Sequence, residues 1–534
     1  MTTQHYDTLI VGTGIGGIYQ LHTSLQMGLS VKAIDLAGGV GGTWYFNRYP
    51  GCMSDTESYL YRYSWDKDDL RDYPWPNTYI KQEEILKYLN HVVDKYHLRQ
   101  HMQFNTEMQS ADWDDEAKVW KVVCGTGDIF IARYLVTSLG LLSKQNIPDI
   151  PGIDTFNGEI THTAAWSEDI DITNKRVAVV GCGSTGTQVV NAIADKVKSL
   201  HVFVRNPQYS VPSGFRPVSA EEREDINQRY DKIWEEVRNS SVGFGFAEST
   251  VPCMSVSPEE RERIFEDLWQ RGNGFRFMFG GFSDIVVSKE ANEEACKFVR
   301  KKIAQIIKDP KKAAILTPHQ YYARRPLCDS GFYHQFNREN VHAVDVKKAP
   351  ITAITSQGIQ TEDNELHEVD VIVFATGFDA IDGNYTRIRI RGRNGLTLKD
   401  YWTSGPTAYL GIFVPNFPNL FMINGPNGPF CNIPPAVETS VEFINDTITR
   451  AERMRKTASK SDFVVEALPE AESEWGAVCN EAADGNLFKE MQSWIFGANV
   501  PGKTQATRFY FGGLRQFRGA MDEVRASNYR GFTM

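Results

Sequence analysis

The chain has 534 residues, 41% hydrophobic and 23% charged, and its 57 basic against 67 acidic residues leave a net charge of −10. That composition belongs to a folded protein of about three to four domains and excludes a disordered or collagen-like chain. A net negative charge offers no global positive field to gather nucleic acid or an anionic membrane surface, so neither is an expected partner.

The opening segment, Met1 to Asp7, lacks the basic-then-apolar order of a leader, and no apolar run approaches the roughly 18 residues of a membrane span. Cys52, Cys124, Cys182, Cys253, Cys296, Cys328, Cys431 and Cys479 include no close pair, against both a zinc site and a dense disulfide framework. A cytoplasmic protein without a metal, monomeric or weakly oligomeric, is the expectation.

Tyr6 to Val11 reads as a buried strand that runs into Gly12-Thr13-Gly14-Ile15-Gly16-Gly17 and then into a helix. In such a strand–turn–helix, Gly12 permits the tight turn, Gly14 lets backbone approach a pyrophosphate, and Gly17 allows close helix–sheet packing. Val31 to Ile34 forms the next strand and ends at Asp35, a carboxylate suited to ribose hydroxyls. The competing reading is a purely structural glycine turn. Tyr134 to Gly140 returns a strand to this sheet, and the stiff crossing Asn146 to Gly152 marks a domain boundary.

The same grammar recurs at Arg176 to Val180, followed by Gly181-Cys182-Gly183-Ser184-Thr185-Gly186 and a helix to Ile193. Here the strand His201 to Val204 ends at Arg205, where an NAD-selective site carries an acid; a guanidinium there suits a ribose 2′-phosphate, unless it is only a surface cation. From Ser219 to about Pro310 the pattern turns helical, with Ser219…Glu222 and Ser257…Glu260 as capping boxes and Ile226, Tyr230, Ile233 and Val237 on one face. The second sheet resumes near Val341 to Val344 and closes at Val369 to Gly377. A mobile loop is expected at Gly425 to Phe430, a helix over Val437 to Arg455, and an aromatic stretch at Phe509 to Phe511.

The fold class is α/β, with two Rossmann-like dinucleotide-binding domains and a helical insertion in the second. Two complete dinucleotide sites in one chain point to electrons passing between a flavin and NADPH. Disulfide reductases, other flavin reductases and flavin monooxygenases are the classes that use both, and the first needs paired redox cysteines that are absent.

Between the glycine motifs stands Phe156-Asn157-Gly158-Glu159-Ile160-Thr161-His162-Thr163-Ala164-Ala165-Trp166, which matches F-x-G-x-x-x-H-x-x-x-W. The chain thereby resembles the Baeyer–Villiger monooxygenases. Gly41 to Asp55, Arg324-Arg325-Pro326 and Trp494 to Lys503 are similar to further family segments, in order and over nearly the whole length, nearest to the cyclohexanone-monooxygenase branch. The resemblance implies tightly held FAD, NADPH as reductant, oxygen trapped as a flavin C4a-peroxide, and conversion of a ketone, cyclic ketones foremost, to an ester or lactone.

It also implies roles. Arg325 corresponds to the catalytic arginine and Asp55 to the acid that fixes it; Thr43, Trp44 and Tyr61 fall beside the flavin. Arg324 stands where lysine commonly binds the 2′-phosphate, and Trp494 matches a tryptophan that reaches the nicotinamide nucleotide. Phe430, Asn432, Ile433 and Phe511 are expected at the ketone. His162 is read as a structural hydrogen-bonding group, not a base. The implied division is an FAD domain at 1–140 and 380–534, an NADP domain at 141–218 and 323–379, and a helical insertion at 219–322. An N- or S-oxidising flavin monooxygenase and a nonenzymatic nucleotide-binding sensor are the rival readings.

Overall fold

β1 (Thr3–Val11) forms where Leu9, Ile10 and Val11 run apolar without interruption, and all three are buried, as a central parallel strand requires. The computed structural model describes residues 3–457 and 463–533, so Met1 and Thr2 of the opening segment lie outside the described residues. After β1 come α1 (Ile15–Gln26), β2 (Val31–Ile34) and α2 (Thr43–Phe46). A hairpin of β3 (Met53–Glu57) and β4 (Tyr79–Lys81) encloses α3 (Lys67–Asp72), and its antiparallel register is irregular between Met53 and Glu57. α4 (Gln82–Lys95) leads to β5 (Met102–Gln103), β6 (Met108–Asp114), β7 (Val119–Cys124) and β8 (Ile129–Thr137). β1 lies between β2 and β8, parallel to both, and β6, β7 and β8 form an antiparallel meander.

The second sheet is wholly parallel and has five strands in the order Val341–Asp345, Ser199–Val204, Arg176–Val180, Val371–Phe374 and Glu159–His162. Its members are β9 (Glu159–His162), β10 (Arg176–Val180), β11 (Ser199–Val204), β14 (Val341–Asp345) and β18 (Val371–Phe374), with α5 (Ser184–Ile193) following β10. β12 (Ser210–Pro212) pairs in parallel with β13 (Leu327–Asp329), and β15 (Ile351–Thr355), β16 (Gly358–Thr361) and β17 (Leu366–Glu368) make a small antiparallel sheet.

Between β12 and β13 run α6 (Ala220–Arg238), α7 (Pro258–Arg271), α8 (Gly274–Phe279), α9 (Lys289–Ile306) and α10 (Pro310–Leu316). α6 buries Ile226, Tyr230, Ile233 and Val237, the face read from the sequence, and adds Trp234. Only half of each expected capping box forms. Ser219 accepts from the Glu222 N–H and Ser257 from the Glu260 N–H, but the two carboxylates bond instead to Arg216 and Arg263, whose guanidiniums offer stronger, charged donors than a main-chain N–H.

β19 (Arg389–Arg391) and β20 (Leu420–Met422) return the chain to the first sheet, on β6 and β8. A long helix, Ile433–Thr457, packs on α1. The segment expected to be a mobile loop is instead built in: Gly425 to Pro429 are buried, and Gly428–Pro429 pairs in parallel with Phe509–Tyr510. Among the described residues no helix is long and apolar enough to cross a membrane, and no group of three His, Cys, Asp or Glu side chains is placed to hold a metal. The eight cysteines are free thiols.

Candidate active site

The two glycine turns are built alike. Gly12 and Gly181 have φ of +103° and +113°, and a Cβ on either would come within 2.3 and 2.5 Å of the carbonyl oxygens of Ser138 and Ala375. Behind them, a Cβ on Gly17 or Gly186 would run into the Gly12 or Gly181 carbonyl, so helix and strand can pack only with glycine there. Gly14 and Gly183, by contrast, have only ordinary contacts, with Gly42 Cα 3.6 Å and Gln208 Nε2 3.8 Å from where a Cβ would stand, and they form the N-caps of α1 and α5.

Those two helices begin without a side-chain cap and without an acidic residue in the first turn. The helices between β12 and β13 are finished differently: Ser219, Ser257, Ser288 and Asp309 cap α6, α7, α9 and α10. An uncapped helix start leaves N–H groups and a positive dipole end for a phosphate, so both turns fit the pyrophosphate of a dinucleotide. Asp35 Oδ2 accepts from the Thr13 N–H and hydroxyl at 2.6 and 2.8 Å, and Oδ1 from the Ala37 N–H at 2.9 Å. The carboxylate is thereby fixed in orientation at the end of β2, with lone pairs left for a ribose hydroxyl.

A cavity of about 760 Å³ runs from the first turn to the second. Gly12, Gly14, Asp35, Thr43, Trp44 and Tyr61 line one part of it; Ser184 and Thr185 line it from the start of α5. Trp44 Nε1 donates to Tyr61 Oη at 2.9 Å with the rings edge to face, and burial holds the Tyr61 phenol protonated, far above its ordinary pKa. Asp55 and Arg325 meet in the wall between the two parts. Arg325 Nη1 donates to Asp55 Oδ2 at 2.6 Å and to Ser184 Oγ at 3.2 Å, and the guanidinium lies 5.4 Å from the centre of the Phe275 ring. Burial works against the Arg325 charge, but the Asp55 carboxylate more than offsets it and raises the pKa above the ordinary arginine value. Asp55 Oδ1 is buried and has no donor among the described residues.

Phe430, Asn432, Ile433 and Trp494 also line the cavity. Both ends of the Asn432 amide are already engaged, Oδ1 by the Thr56 hydroxyl at 2.8 Å and Nδ2 by the Gly243 carbonyl at 2.9 Å, so it braces the wall. Phe511, expected at the ketone, does not reach the cavity. The strand ends at Tyr510, and the Phe511 ring stacks on Phe496 behind Phe430, leaving Phe509 to face the cavity. The sequence reading missed Phe244 and Phe275, which stack 4.0 Å apart in the same wall although they belong to the helical stretch. Their signal is phenylalanine beside glycine, Gly243-Phe244-Gly245-Phe246 and Gly274-Phe275, within a segment otherwise rich in charge.

Arg205 and Arg324 lie outside the cavity, near the second turn. Arg205 is exposed at the end of β11; Arg324 Nε is buried without an acceptor among the described residues. Burial and the neighbouring Arg205 charge pull the Arg324 pKa down. Two cations held together with an unused donor make a place for an anion such as a 2′-phosphate. His162 Nδ1 accepts from the Ala164 N–H at 3.1 Å and Nε2 sits 3.1 Å from the Gly377 carbonyl; burial lowers its pKa to about 4, so it is a neutral strut between two crossings.

Residues 7–211 match the family model described as flavin-binding monooxygenase-like. A Baeyer–Villiger monooxygenase of Pseudooceanicola batsensis is 49% identical over 525 residues, covering 98% of this chain and 95% of that one. The chain belongs to the Baeyer–Villiger monooxygenase family. The crystal structure of the cyclohexanone monooxygenase from Rhodococcus sp. Phi1 bound to NADP+ superposes with a TM-score of 0.97 at 53% identity, covering 100% of this chain and 99% of that chain. A phenazine N-monooxygenase of Lysobacter antibioticus is 46% identical, over 99% of this chain and 97% of that one. As a Baeyer–Villiger monooxygenase this protein uses FAD and NADPH.

Proposed function

We propose that the chain converts ketones to esters or lactones with FAD, NADPH and O2, cyclic ketones foremost, and that Arg325 and Asp55 carry oxygen insertion. The observation behind this reading is the position of the Arg325–Asp55 pair, in the wall of a cavity shared by the two nucleotide turns and an aromatic patch. Bound FAD, once reduced by NADPH, supplies the activated oxygen.

The chain's own groups hold and orient. Gly12, Gly14 and Gly17 bring α1 to the FAD pyrophosphate, Asp35 takes ribose hydroxyls, and Thr43, Trp44 and Tyr61 border the flavin. Gly181, Gly183, Ser184, Thr185 and Gly186 receive NADPH, with Arg205 and Arg324 on its 2′-phosphate and Trp494 on its nicotinamide half. Arg325 is a fixed cation, since a guanidinium does not give up its proton in the working pH range. Held by Asp55 before the reaction, it stabilises negative charge developing on oxygen during attack on the carbonyl and needs little reorganisation. Phe430 and Ile433, with Phe244 and Phe275, exclude water around the ketone.

This reading keeps the domain division at 140, 218, 322 and 379, and a monomer or weak oligomer in the cytoplasm. A panel of cyclic, linear and aryl ketones tests it, with products identified and compared with NADPH consumed. Lactone nearly stoichiometric with NADPH from at least one cyclic ketone is expected; NADPH use that no ketone stimulates contradicts it. Because a phenazine N-monooxygenase is among the relatives, oxidation at an aromatic nitrogen is the alternative the panel is built to exclude. Phenazine in the same panel, giving N-oxide while every ketone fails, would select it.

A further inference from the structure

The irregular stretch of the β3–β4 ladder carries Asp55, and its main-chain carbonyl is taken by a side chain from α8's cap. Asn273 Nδ2 donates to Asp55 O at 3.1 Å and to Tyr79 Oη at 2.9 Å. Its Oδ1 accepts from the Phe275 and Arg276 N–H groups at 2.9 and 3.2 Å and so caps α8. Asn273 is 2% exposed and sits at φ +76°, ψ 112°, directly after Gly272 at φ +78°. L side chains rarely adopt that backbone, and it persists only where its surroundings over-determine it.

What α8 supports is the other half of the pair. Phe275 lies under the Arg325 guanidinium, and the Gly274 N–H points to Cys328 Sγ at 3.2 Å, on the strand that follows Arg325. One buried amide therefore joins the backbone of Asp55, the hairpin through Tyr79, and the helix beneath Arg325. α8 has an independent tether, Arg276 Nη2 to Glu57 Oε1 at 2.7 Å, so the helix stays attached when the amide is removed.

We infer that Asn273 is a positioning residue for the Arg325–Asp55 pair, one that keeps oxygen transfer coupled to NADPH use. The inference rests on the assignment of that pair to oxygen insertion. With the pair displaced, the hydride of NADPH and a proton from solvent convert O2 to hydrogen peroxide, with NADP+ as the other product, and less oxygen reaches the ketone.

Two variants of the FAD-loaded enzyme separate this role from helix capping. Asn273→Asp keeps acceptors for the Phe275 and Arg276 N–H groups but, ionised, donates nothing to Asp55 O; Asn273→Gly keeps the backbone conformation and loses both functions. Ester and hydrogen peroxide per NADPH, FAD content, and the anaerobic rate of flavin reduction are measured across pH. Asn273→Asp is expected to hold FAD and be reduced at the parental rate, yet give at least about threefold less ester per NADPH near pH 9. Burial raises a carboxyl's pKa against the two N–H bonds that lower it, so coupling should recover as pH falls, once the protonated acid donates again. Asn273→Gly should lose coupling without that recovery. Parental coupling in Asn273→Asp at every pH, coupling lost in it without recovery toward low pH, or loss of FAD in both variants overturns the inference. Arg325→Ala is run beside them: normal ester from that variant defeats the underlying assignment, whatever Asn273 does.

Discussion

Replacing Asp55 by asparagine tests the pair with the smallest change of shape. The side chains of Asp55 and Arg325 are 6% and 32% exposed, and the contact between them is 2.6 Å. Loss of a partner from a fully buried ion pair costs about 3–5 kcal/mol, but a third of Arg325 faces the cavity, so the smaller figure for one hydrogen bond between charged groups applies, about 1.5–3 kcal/mol. If that energy serves to hold the cation where charge develops, ester formation slows by roughly 10- to 150-fold at about 1.4 kcal/mol per decade. The asparagine removes the carboxylate charge that fixes Arg325 and leaves the nucleotide turns untouched, so FAD content and anaerobic reduction by NADPH should stay at parental levels. The assay is product formation by gas chromatography with a saturating cyclic ketone, beside NADPH consumption by absorbance. Parental ester formation by the Asp55→Asn enzyme with full FAD would show that the Asp55 carboxylate does not hold Arg325 for oxygen insertion.

Arg324→Gln should raise the KM for NADPH at least about tenfold while leaving that for NADH nearly unchanged, because only the 2′-phosphate loses a charged partner; equal effects on both nucleotides contradict the assignment, and steady-state kinetics decide. Glu438 lies 2% exposed on the helix Ile433–Thr457, where it accepts from the Ser64 N–H at 2.6 Å, and burial pushes its pKa from 4.5 to about 7. A folded pKa above the unfolded one means stability that is complete below about 4.5 and lost as pH rises to about 7, a change of about 3 kcal/mol. Glu438→Gln should therefore melt higher than the parent at pH 8 and show little advantage at pH 5; thermal unfolding at the two values checks it, and a constant difference refutes it.

Local pattern carried the parts of the fold that chemistry writes locally. Unbroken apolar runs such as Leu9 to Val11 and Val177 to Val180, each ending at a glycine turn, fit buried parallel strands, and the first glycine of each turn leaves no room for a Cβ beside a neighbouring carbonyl. The placement of Asp35 and Arg205 was legible because each directly follows a strand at a set distance from its turn. The Asp55–Arg325 contact spans 270 residues, and no periodicity encodes it; only motif resemblance brought the two together. Phe244 and Phe275 escaped because the chain around them reads as a charged helical stretch, while the choice of Phe509 over Phe511 depends on where a two-residue strand ends. The buried loop at Gly425 to Pro429 misled for the same reason: glycine, proline and asparagine signal a turn, and its pairing with Phe509–Tyr510 is a long-range event.

Arg325 as the cation of oxygen insertion is put to the test by Arg325→Ala, assayed in one preparation for flavin reduction and for lactone. The flavin should be bound and reduced by NADPH, with lactone from the best cyclic ketone falling below detection; lactone at the parental rate from that same preparation would mean that oxygen insertion does not depend on Arg325.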